Sequence, residues 1–335
     1  MKTFLITALL TLIPGCAGAL SSANCHKLNT TGEALPAIRH MVDMKVYGDT
    51  LLFVYEIDDG YGQRFLRRAV IDRNQNRLKV SPDMGKRGDG YYVSYMPYPF
   101  IADKGSIHVV NQDDGEIYSV ENDTVLVRTK QYLMTGNSTV SFPISQYVQD
   151  VFMTGQDNYV FVGREPKGGR QLAMTADIAS SKIDTIRKIN VSPELLSWMP
   201  NAGEQAYSGK HNRLVFAYRY HPVTEIFGAD GSVVKTVEVS EPTFDPATLE
   251  MADFEAMNSV HFIDITSTDE QIYALYWGHK YGEPGNSKIY RIDWNGNITA
   301  QCTLSCDIFK IAALDVNLII GWTGKEFVVI NFNDK

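Results

Sequence analysis

The sequence has 335 residues, of which 44% are apolar and 21% are charged, so a disordered chain is excluded. A formal net charge of −8 leaves no basic face to neutralise a phosphate backbone, and nucleic acid is therefore excluded as a partner. The 26 glycines and 18 tyrosines favour strands and turns over long helices.

The first fifteen residues differ from the rest of the chain. Lys2 is followed by an apolar run at residues 4–13, which is too short to span a bilayer as a permanent helix. This pattern predicts a lipoprotein signal peptide over residues 1–15 and an exported protein.

Two cleavage sites are compatible with this signal peptide. The sequence IPGC at residues 13–16 resembles a bacterial lipobox, in which Cys16 is acylated and becomes the new N-terminus. The sequence AGA at residues 17–19 instead suits ordinary A-x-A cleavage. We favour the lipobox, because a cysteine directly follows a small residue at the end of the apolar run. It predicts a lipoprotein of the cell envelope (periplasm or outer membrane), held to the membrane by a lipid anchor at Cys16 and a tether over residues 16–24.

Three further cysteines follow the signal peptide. Export permits a disulfide among Cys25, Cys302 and Cys306. Cys302 and Cys306 are close in sequence, whereas Cys25 reaches either of them if the chain ends adjoin. The pairing stays open, and the odd number leaves one thiol over.

An internal repeat is the strongest pattern in the chain. Six short apolar runs recur about 50 residues apart, each after a polar or glycine-containing turn. A strand candidate precedes each turn, and a third and usually a fourth strand follow each run. Four antiparallel strands in such a unit are typical of a propeller blade, and apolar runs suit strands buried on both faces. The runs are LLFVY at residues 51–55, IHVV at 107–110, YVFV at 159–162, LVFAY at 214–218, IYALY at 272–276 and LIIGW at 318–322.

The ends of the chain predict how the ring closes. The last unit is too short for four strands, since its final run lies at residues 328–332. Residues 25–30 lie upstream of the first unit and would supply the missing strand, which removes an open sheet edge. We therefore predict an all-β fold over residues 25–335: a six-bladed β-propeller with four antiparallel strands per blade, in which an N-terminal strand completes the last blade.

Two segments carry a resemblance to a known family. RLVFAYRYHPVTEIFGADG at residues 213–231 and IYALYWGHKYGEPGNSKIYRIDWNGN at residues 272–297 are similar to hallmark stretches of the TolB-like six-bladed propeller lipoproteins of Gram-negative bacteria. Gly228-Ala229 departs from the aromatic residue and aspartate usual there. The resemblance covers residues 25–335 and implies an envelope lipoprotein, with no catalytic residues to carry over.

Polar aromatic and basic side chains gather in the loops that follow the second strands. In propellers these loops share one face with the inter-blade loops, around the mouth of the channel. Aromatic rings with one wet edge, together with arginine and histidine donors, suit sugar faces or peptide side chains. A single tyrosine here more often fills a gap between blades, but the face as a whole favours binding. The predicted ligand-binding face consists of Arg164, Tyr218, Arg219, Tyr220, His221, Trp277, His279, Tyr281 and Trp322.

Catalytic and metal signatures are weak. The sequence lacks G-x-S-x-G and H-E-x-x-H, and no S-x-x-K is tied to partner motifs. The acid pairs Asp58-Asp59 and Asp113-Asp114 suit turns better than a cation site. We expect no cofactor.

These patterns leave two main hypotheses about function. The first is a non-catalytic binding module of the cell envelope whose partner is a glycan, a peptide or another envelope protein. The second is an envelope hydrolase, lactonase or lyase with a cation-dependent site in the central channel. A purely structural link in an envelope complex is a third. Fold alone does not choose among them.

Overall fold

The computed structural model describes residues 20–58, 64–84, 97–101, 106–111, 115–121, 125–133, 148–164, 171–190, 199–249 and 253–332. Nearly all of their regular structure is β: these residues form 26 strands and one short α-helix, α1 (Phe254–Met257). Among them, no helix is long and apolar enough to cross a bilayer. The signal peptide predicted over residues 1–15 and the predicted acylation site Cys16 lie outside the described residues.

The strands follow one another with short connections. The first half of the chain holds β1 (Leu20–Ala23), β2 (Cys25–Lys27), β3 (Asn29–Gly32), β4 (Ile38–Tyr47), β5 (Thr50–Ile57), β6 (Arg64–Asp72), β7 (Arg77–Met84), β8 (Pro97–Ile101), β9 (Ile107–Asn111), β10 (Glu116–Glu121), β11 (Val125–Tyr132), β12 (Gln149–Gly155) and β13 (Asn158–Arg164). The second half holds β14 (Gln171–Asp177), β15 (Lys182–Lys188), β16 (Gly203–Ser208), β17 (Arg213–Tyr218), β18 (Val223–Gly228), β19 (Val233–Glu238), β20 (Val260–Ser267), β21 (Gln271–His279), β22 (Lys288–Asp293), β23 (Ile298–Leu304), β24 (Lys310–Ala313), β25 (Leu318–Trp322) and β26 (Phe327–Asn331).

Six sheets form the blades of a ring. Blades one to five each contain four consecutive antiparallel strands, starting with β4, β8, β12, β16 and β20, and blade six contains β24, β25, β26 and β2. The first strand of each blade contacts the first strands of both neighbouring blades, so these six strands are innermost and line the central channel. The predicted six-bladed β-propeller is confirmed.

The hydrophobic core lies between the blades. Six clusters of buried side chains are found among the described residues, and each joins one pair of adjacent blades, from one and two around to six and one. Since a cluster fills every junction, the neighbouring blades cover the apolar faces of the described strands. The clusters therefore close the ring.

The apolar runs of the repeat are the second strands of the blades. In β17, Leu214 and Phe216 pack towards blade three, whereas Val215 and Ala217 pack towards blade five. Successive side chains of a strand point to opposite faces, so a strand between two blades must be apolar on both. This explains why the runs do not alternate with polar residues.

Tight turns join the outer strands of several blades. Gly231 and Gly296 have φ values of +82° and +84°, which residues with a Cβ rarely adopt. In the second of these turns, Asp293 accepts hydrogen bonds from the backbone amides of Asn295 and Asn297, both at 2.9 Å. The Asp293–Asn297 segment is therefore a hairpin turn, as the sequence suggests.

The N-terminal segment crosses the outer edges of three blades. β2 pairs antiparallel with β26 and completes blade six, which confirms the predicted closure. β1 runs parallel to β23 as a fifth strand of blade five, and β3 runs parallel to β7 as a fifth strand of blade one. Residues 20–23, which lie within the tether predicted over residues 16–24, form β1 and pair with β23.

A disulfide fixes this segment. Cys25 is bonded to Cys306, which joins β2 to the connection between blades five and six across a sequence separation of 281 residues. Cys302 is a buried thiol in the core between those two blades. The pairing left open by the sequence is thereby resolved, and the link lies where the two ends of the chain meet.

Candidate functional site

Charged side chains cross the middle of the channel. Four carboxyl groups come from the innermost strands of four blades, and two lysines complete the set. We call this set the central belt; it consists of Asp43, Lys45, Asp150, Glu204, Asp264 and Lys310. Most of these side chains are buried. Buried charges require partners, since their desolvation is costly.

Lys310 is the hub on one side of the belt. Its Nζ lies 3.3 Å from Asp264 Oδ1 and 3.4 Å from Glu204 Oε1, so it joins blades four, five and six. The other oxygen of Asp264 accepts the backbone amide of Ile311 at 2.6 Å. Burial lowers the pKa of Lys310, but Asp264 and then Glu204 raise it above its usual value. Lys310 therefore stays an ammonium.

Asp150 is the hub on the other side. Its carboxylate accepts the Tyr98 hydroxyl at 2.8 Å and the backbone amide of Gln205 at 2.7 Å, which joins blades two, three and four. Burial raises the pKa of Asp150 to about 7, and Glu204 contributes in the same direction. Burial likewise raises the pKa of Asp264 to about 6. Both acids are therefore more easily protonated than exposed aspartates.

The belt separates two cavities. The end of the channel where the innermost strands begin is the upper mouth; its cavity measures about 190 Å³. The opposite end, where these strands finish, is the lower mouth. The upper cavity is lined mainly by polar groups, among them His40, Arg64, Gln149, Gln171, Glu204, Arg219 and Lys310.

Arg219 is held rigidly at the upper mouth. Its backbone amide donates to Ala202 O and its carbonyl accepts the amide of His261, both at 2.7 Å. Its Nη2 lies 3.4 Å from Glu204 Oε1, whereas its buried Nε has no hydrogen-bond partner among the described residues. The guanidinium thus retains donor capacity next to the cavity.

Cations outnumber acids around His40 at the upper mouth. Burial lowers the pKa of His40, and Lys310, Arg64 and Arg219 lower it further, while Glu56 raises it. Arg64 pairs with Glu56 at 3.0 Å. Because three nearby cations act on His40 against one acid, the mouth is a favourable place for negative charge.

Two more features complete the upper mouth. Gln171 is 3% exposed, and its Oε1 has no hydrogen-bond partner among the described residues. Burial lowers the pKa of Arg219, whereas Glu204 and then Tyr281 raise it, so Tyr281, which is 47% exposed, lies near that guanidinium. The mouth therefore offers a buried acceptor and an exposed aromatic ring.

The predicted ligand-binding face is brought together only in part. Arg219 lines the upper cavity. Trp277 stacks on His279 with ring centroids 5.2 Å apart and contacts the exposed Tyr281 at 5.6 Å. Trp277 itself is 8% exposed, and its Nε1 donates to Ile308 O at 3.0 Å, so it supports the cluster from below.

Four members of the predicted face are buried elsewhere. Tyr218 donates to Glu225 at 2.9 Å between blades three and four, and Trp322 packs on Phe327 between blades six and one. Tyr220 packs on Phe254, and His221 lies between Tyr218 and Phe244. These rings fill gaps between blades, so we leave them out of the proposed site. The side chain of Arg164 lies outside the described residues.

The arrangement of the central belt gives limited support to a divalent-cation site in the channel. Among the described residues, no group of three or more His, Cys, Asp or Glu side chains is arranged to hold a metal ion. Asp264 contacts Lys310, and Asp43 Oδ1 lies 3.3 Å from Lys45 Nζ. Ammonium groups thus occupy positions beside the carboxylates that a divalent cation would take. Asp59, Asp113 and Asp114 lie outside the described residues.

Comparison with solved structures shows the fold. The chain is similar to a member of the DUF4221 family from Bacteroides vulgatus, with 9% identity and a TM-score of 0.56 over 94% of this chain and 96% of that one. It is similar to a protein of unknown function from Bacteroides thetaiotaomicron, with 11% identity and a TM-score of 0.53 over 92% and 76%. It is also similar to a luciferin-regenerating enzyme, with 9% identity and a TM-score of 0.51 over 92% and 95%.

No protein-family model and no curated protein matches the chain. At identities near 10%, structural similarity establishes architecture and says nothing about chemistry. The chain is a six-bladed β-propeller, and its function must be argued from its own residues.

Proposed function

We propose that the protein is a non-catalytic binding propeller of the bacterial cell envelope, and that its upper mouth binds a glycan bearing a carboxylate. The observation that carries this proposal is the cavity of about 190 Å³ surrounded by Arg64, Arg219 and Lys310. A cavity with fixed cationic donors at its wall is suited to an anionic group.

Arg219 is the residue proposed to bind the carboxylate. A guanidinium presents a planar fork of donors that matches a carboxylate in two parallel hydrogen bonds. Its backbone is already fixed by Ala202 and His261, so little ordering is lost on binding. Its Nε has no other partner among the described residues and is available to the ligand.

The other groups favour a sugar over a simple organic acid. Gln171 Oε1 is a buried acceptor without a partner among the described residues, and a sugar hydroxyl would supply the missing donor. The exposed ring of Tyr281 offers a flat apolar surface with a polar edge, which suits the face of a sugar ring. An acidic sugar would satisfy all three groups together.

The proposed location follows from the N-terminal sequence. The apolar run that ends in IPGC supports export of the chain and acylation of Cys16. An exported lipoprotein is in turn consistent with the resemblance to the TolB-like lipoproteins. β1 begins shortly after Cys16 on the outer edge of blade five. Lipid chains at Cys16 would therefore hold that edge of the propeller close to the membrane.

A matched set of ligands tests the binding proposal. Soluble protein starting at Leu20 is titrated by ligand-observed NMR with trigalacturonic acid, its methyl ester, triglutamate and triglutamine. We expect the acidic sugar to bind and its neutral ester to bind at least tenfold more weakly. Preferred binding of triglutamate would replace the glycan by an acidic peptide. Equal binding of acid and ester would contradict the charge argument.

The alternative is an envelope hydrolase, lactonase or lyase that uses a cation in the channel. The raised pKa of the buried Asp150 favours it, because perturbed acids in clefts often serve as proton donors. We rank it second, because Asp43, Glu204 and Asp264 of the belt already contact its lysines. Metal analysis of the purified full-length protein distinguishes the two: a stoichiometric divalent cation would favour the enzyme.

A further inference from the structure

The lower mouth of the channel holds a second and larger cavity, of about 290 Å³. Its wall combines apolar and polar groups and comes from the innermost strands of six blades. The apolar side chains used here are Val46, Ile101, Phe152, Ile265 and Ala313. The central belt lies between this cavity and the upper mouth, so the two are chemically separate.

Lys45, Gln205, Thr266 and Ser267 add polar groups to this wall, and the first two bear on the choice of ligand. Lys45 is 19% exposed, and its Nζ lies 3.3 Å from Asp43 Oδ1 and 5.6 Å from the ring centroids of Tyr98 and Phe152. An ammonium has three donors, and a single carboxylate leaves donor capacity for a ligand. The lower cavity therefore contains a positively charged donor with aromatic neighbours.

Gln205 is the second polar side chain, and it is 1% exposed. Its backbone amide donates to Asp150, but its side-chain Nε2 and Oε1 both lack a hydrogen-bond partner among the described residues. Buried amides are almost always paired in folded proteins, because an unpaired one destabilises the fold. A donor and an acceptor are thus left unsatisfied at the wall of the cavity.

Charge decides which ligand fits beside these groups. Asp43 already compensates Lys45, and Asp150 lies directly beyond Gln205, so a ligand carboxylate would be placed near two acids. A ligand cation would be placed near Lys45. An uncharged group avoids both costs. An amide group supplies an acceptor for Lys45 or Gln205 Nε2 and a donor for Gln205 Oε1.

We propose that the lower mouth is a second binding site, which takes an uncharged apolar peptide segment. An apolar side chain of the peptide would pack against Phe152 and Ile265, and a backbone amide of the peptide would pair with the Gln205 carboxamide. This site is independent of the acidic glycan proposed for the upper mouth, since no residue assigned a role here binds that ligand.

The test uses N-acetyl-L-phenylalaninamide as the probe and N-acetyl-L-phenylalanine, which carries a carboxylate, as its charged counterpart. Binding to soluble protein starting at Leu20 is followed by ligand-observed NMR titration. We expect the amide to bind and the acid to bind at least tenfold more weakly. Absence of amide binding, or equal binding of the acid, would overturn the proposal.

Two variants that replace a glutamine by leucine locate the probe. Gln205→Leu should weaken amide binding at least tenfold and leave the melting temperature unchanged or higher, because it removes an unpaired amide. Gln171→Leu makes the matched change at the upper mouth and should bind the amide as wild type does. If Gln205→Leu binds normally, the site is wrong.

A third variant covers the case in which Gln205→Leu does not fold. Ala313→Leu adds bulk to the wall of the cavity without touching Gln205. It should abolish binding of N-acetyl-L-phenylalaninamide. Normal binding by a folded Ala313→Leu protein would also overturn the proposal.

Discussion

The Lys310 ammonium lies 3.3 Å from the Asp264 carboxylate, and this buried pair joins the innermost strands of blades five and six. Lys310 also contacts Glu204 of blade four. One cation therefore links three of the six innermost strands. The central belt lies between the two cavities and also connects blades four, five and six.

Replacing Lys310 alone should destabilise the protein more than replacing Lys310 and Asp264 together. Lys310→Met leaves the buried Asp264 without its cation and leaves Glu204 with Arg219 alone, and we expect the free energy of unfolding to fall by about 3–5 kcal/mol. The double variant Lys310→Met/Asp264→Asn should recover part of that loss. Urea denaturation of both proteins measures the difference. A single variant within about 1 kcal/mol of wild type would contradict the role given to Lys310.

The raised pKa values of Asp150 and Asp264 predict a pH dependence of stability. Both groups hold a proton more tightly in the folded protein than in the unfolded chain, where aspartate titrates near 4. Their contribution is therefore greatest at low pH and declines as pH rises from about 4 to about 7. Above that range it is constant.

Asp150→Asn should make the stability curve flatter between pH 4 and 7, as measured by urea denaturation at a series of pH values. Asp177→Asn is the control, because hydrogen bonds from Ser180 lower the pKa of this exposed acid. Its loss should leave the slope in that range unchanged. An Asp150→Asn slope as steep as that of wild type would show that Asp150 is not the titrating group.

The Cys25–Cys306 disulfide should stabilise the ring. Reduction frees the ends of a very long loop, and such bonds typically contribute about 2–5 kcal/mol. Dithiothreitol should lower the melting temperature of the wild-type protein to that of Cys306→Ala. The variant itself should not respond to the reductant. Equal melting of oxidised and reduced wild-type protein would be evidence against this contribution.

The N-terminal segment should contribute more than its disulfide. Deletion of residues 20–32 removes β1, β2 and β3 and exposes the edges of β23, β26 and β7. We expect a melting temperature below that of Cys306→Ala, together with aggregation visible by size-exclusion chromatography, because free edges pair with other chains. A deletion variant that melts like Cys306→Ala and stays monomeric would contradict this account of closure.

The sequence was sufficient to predict the fold because the repeat arises from a packing requirement. A second strand buried on both faces must be apolar, and that requirement leaves a visible run in every unit. The closure by residues 25–27 followed from counting strands in the last unit. The flanking strands β1 and β3 carry no such signal, because outer-edge strands are short and polar.

The central belt was missed for a physical reason as well. Its members are single charged residues in short strands that lie far apart in sequence, and only the ring brings them together. A signal was present in the first strands, where Asp264 interrupts VHFIDI at residues 260–265 and Lys310 precedes IAA. Isolated charged residues in the apolar first strands of a predicted propeller can therefore be considered together, because the ring brings these strands to its centre.

The burial of Tyr218 could also have been predicted from the sequence. It has the same parity in β17 as Leu214 and Phe216, so its side chain points to the same inter-blade face. Arg219 follows the strand and escapes that constraint, which explains why it reaches the cavity. Whether a predicted residue is buried between blades therefore depends on its position in the strand. The type of the residue alone does not show this.

The most direct test of the proposed function compares binding of trigalacturonic acid to wild-type protein and to Arg219→Gln by isothermal titration calorimetry. Arg73→Gln is the control, since Arg73 is 40% exposed and pairs with Asp49 and Asp315 away from the upper cavity. We predict at least tenfold weaker binding for Arg219→Gln and unchanged binding for Arg73→Gln. Equal affinity of Arg219→Gln and wild type would contradict the account.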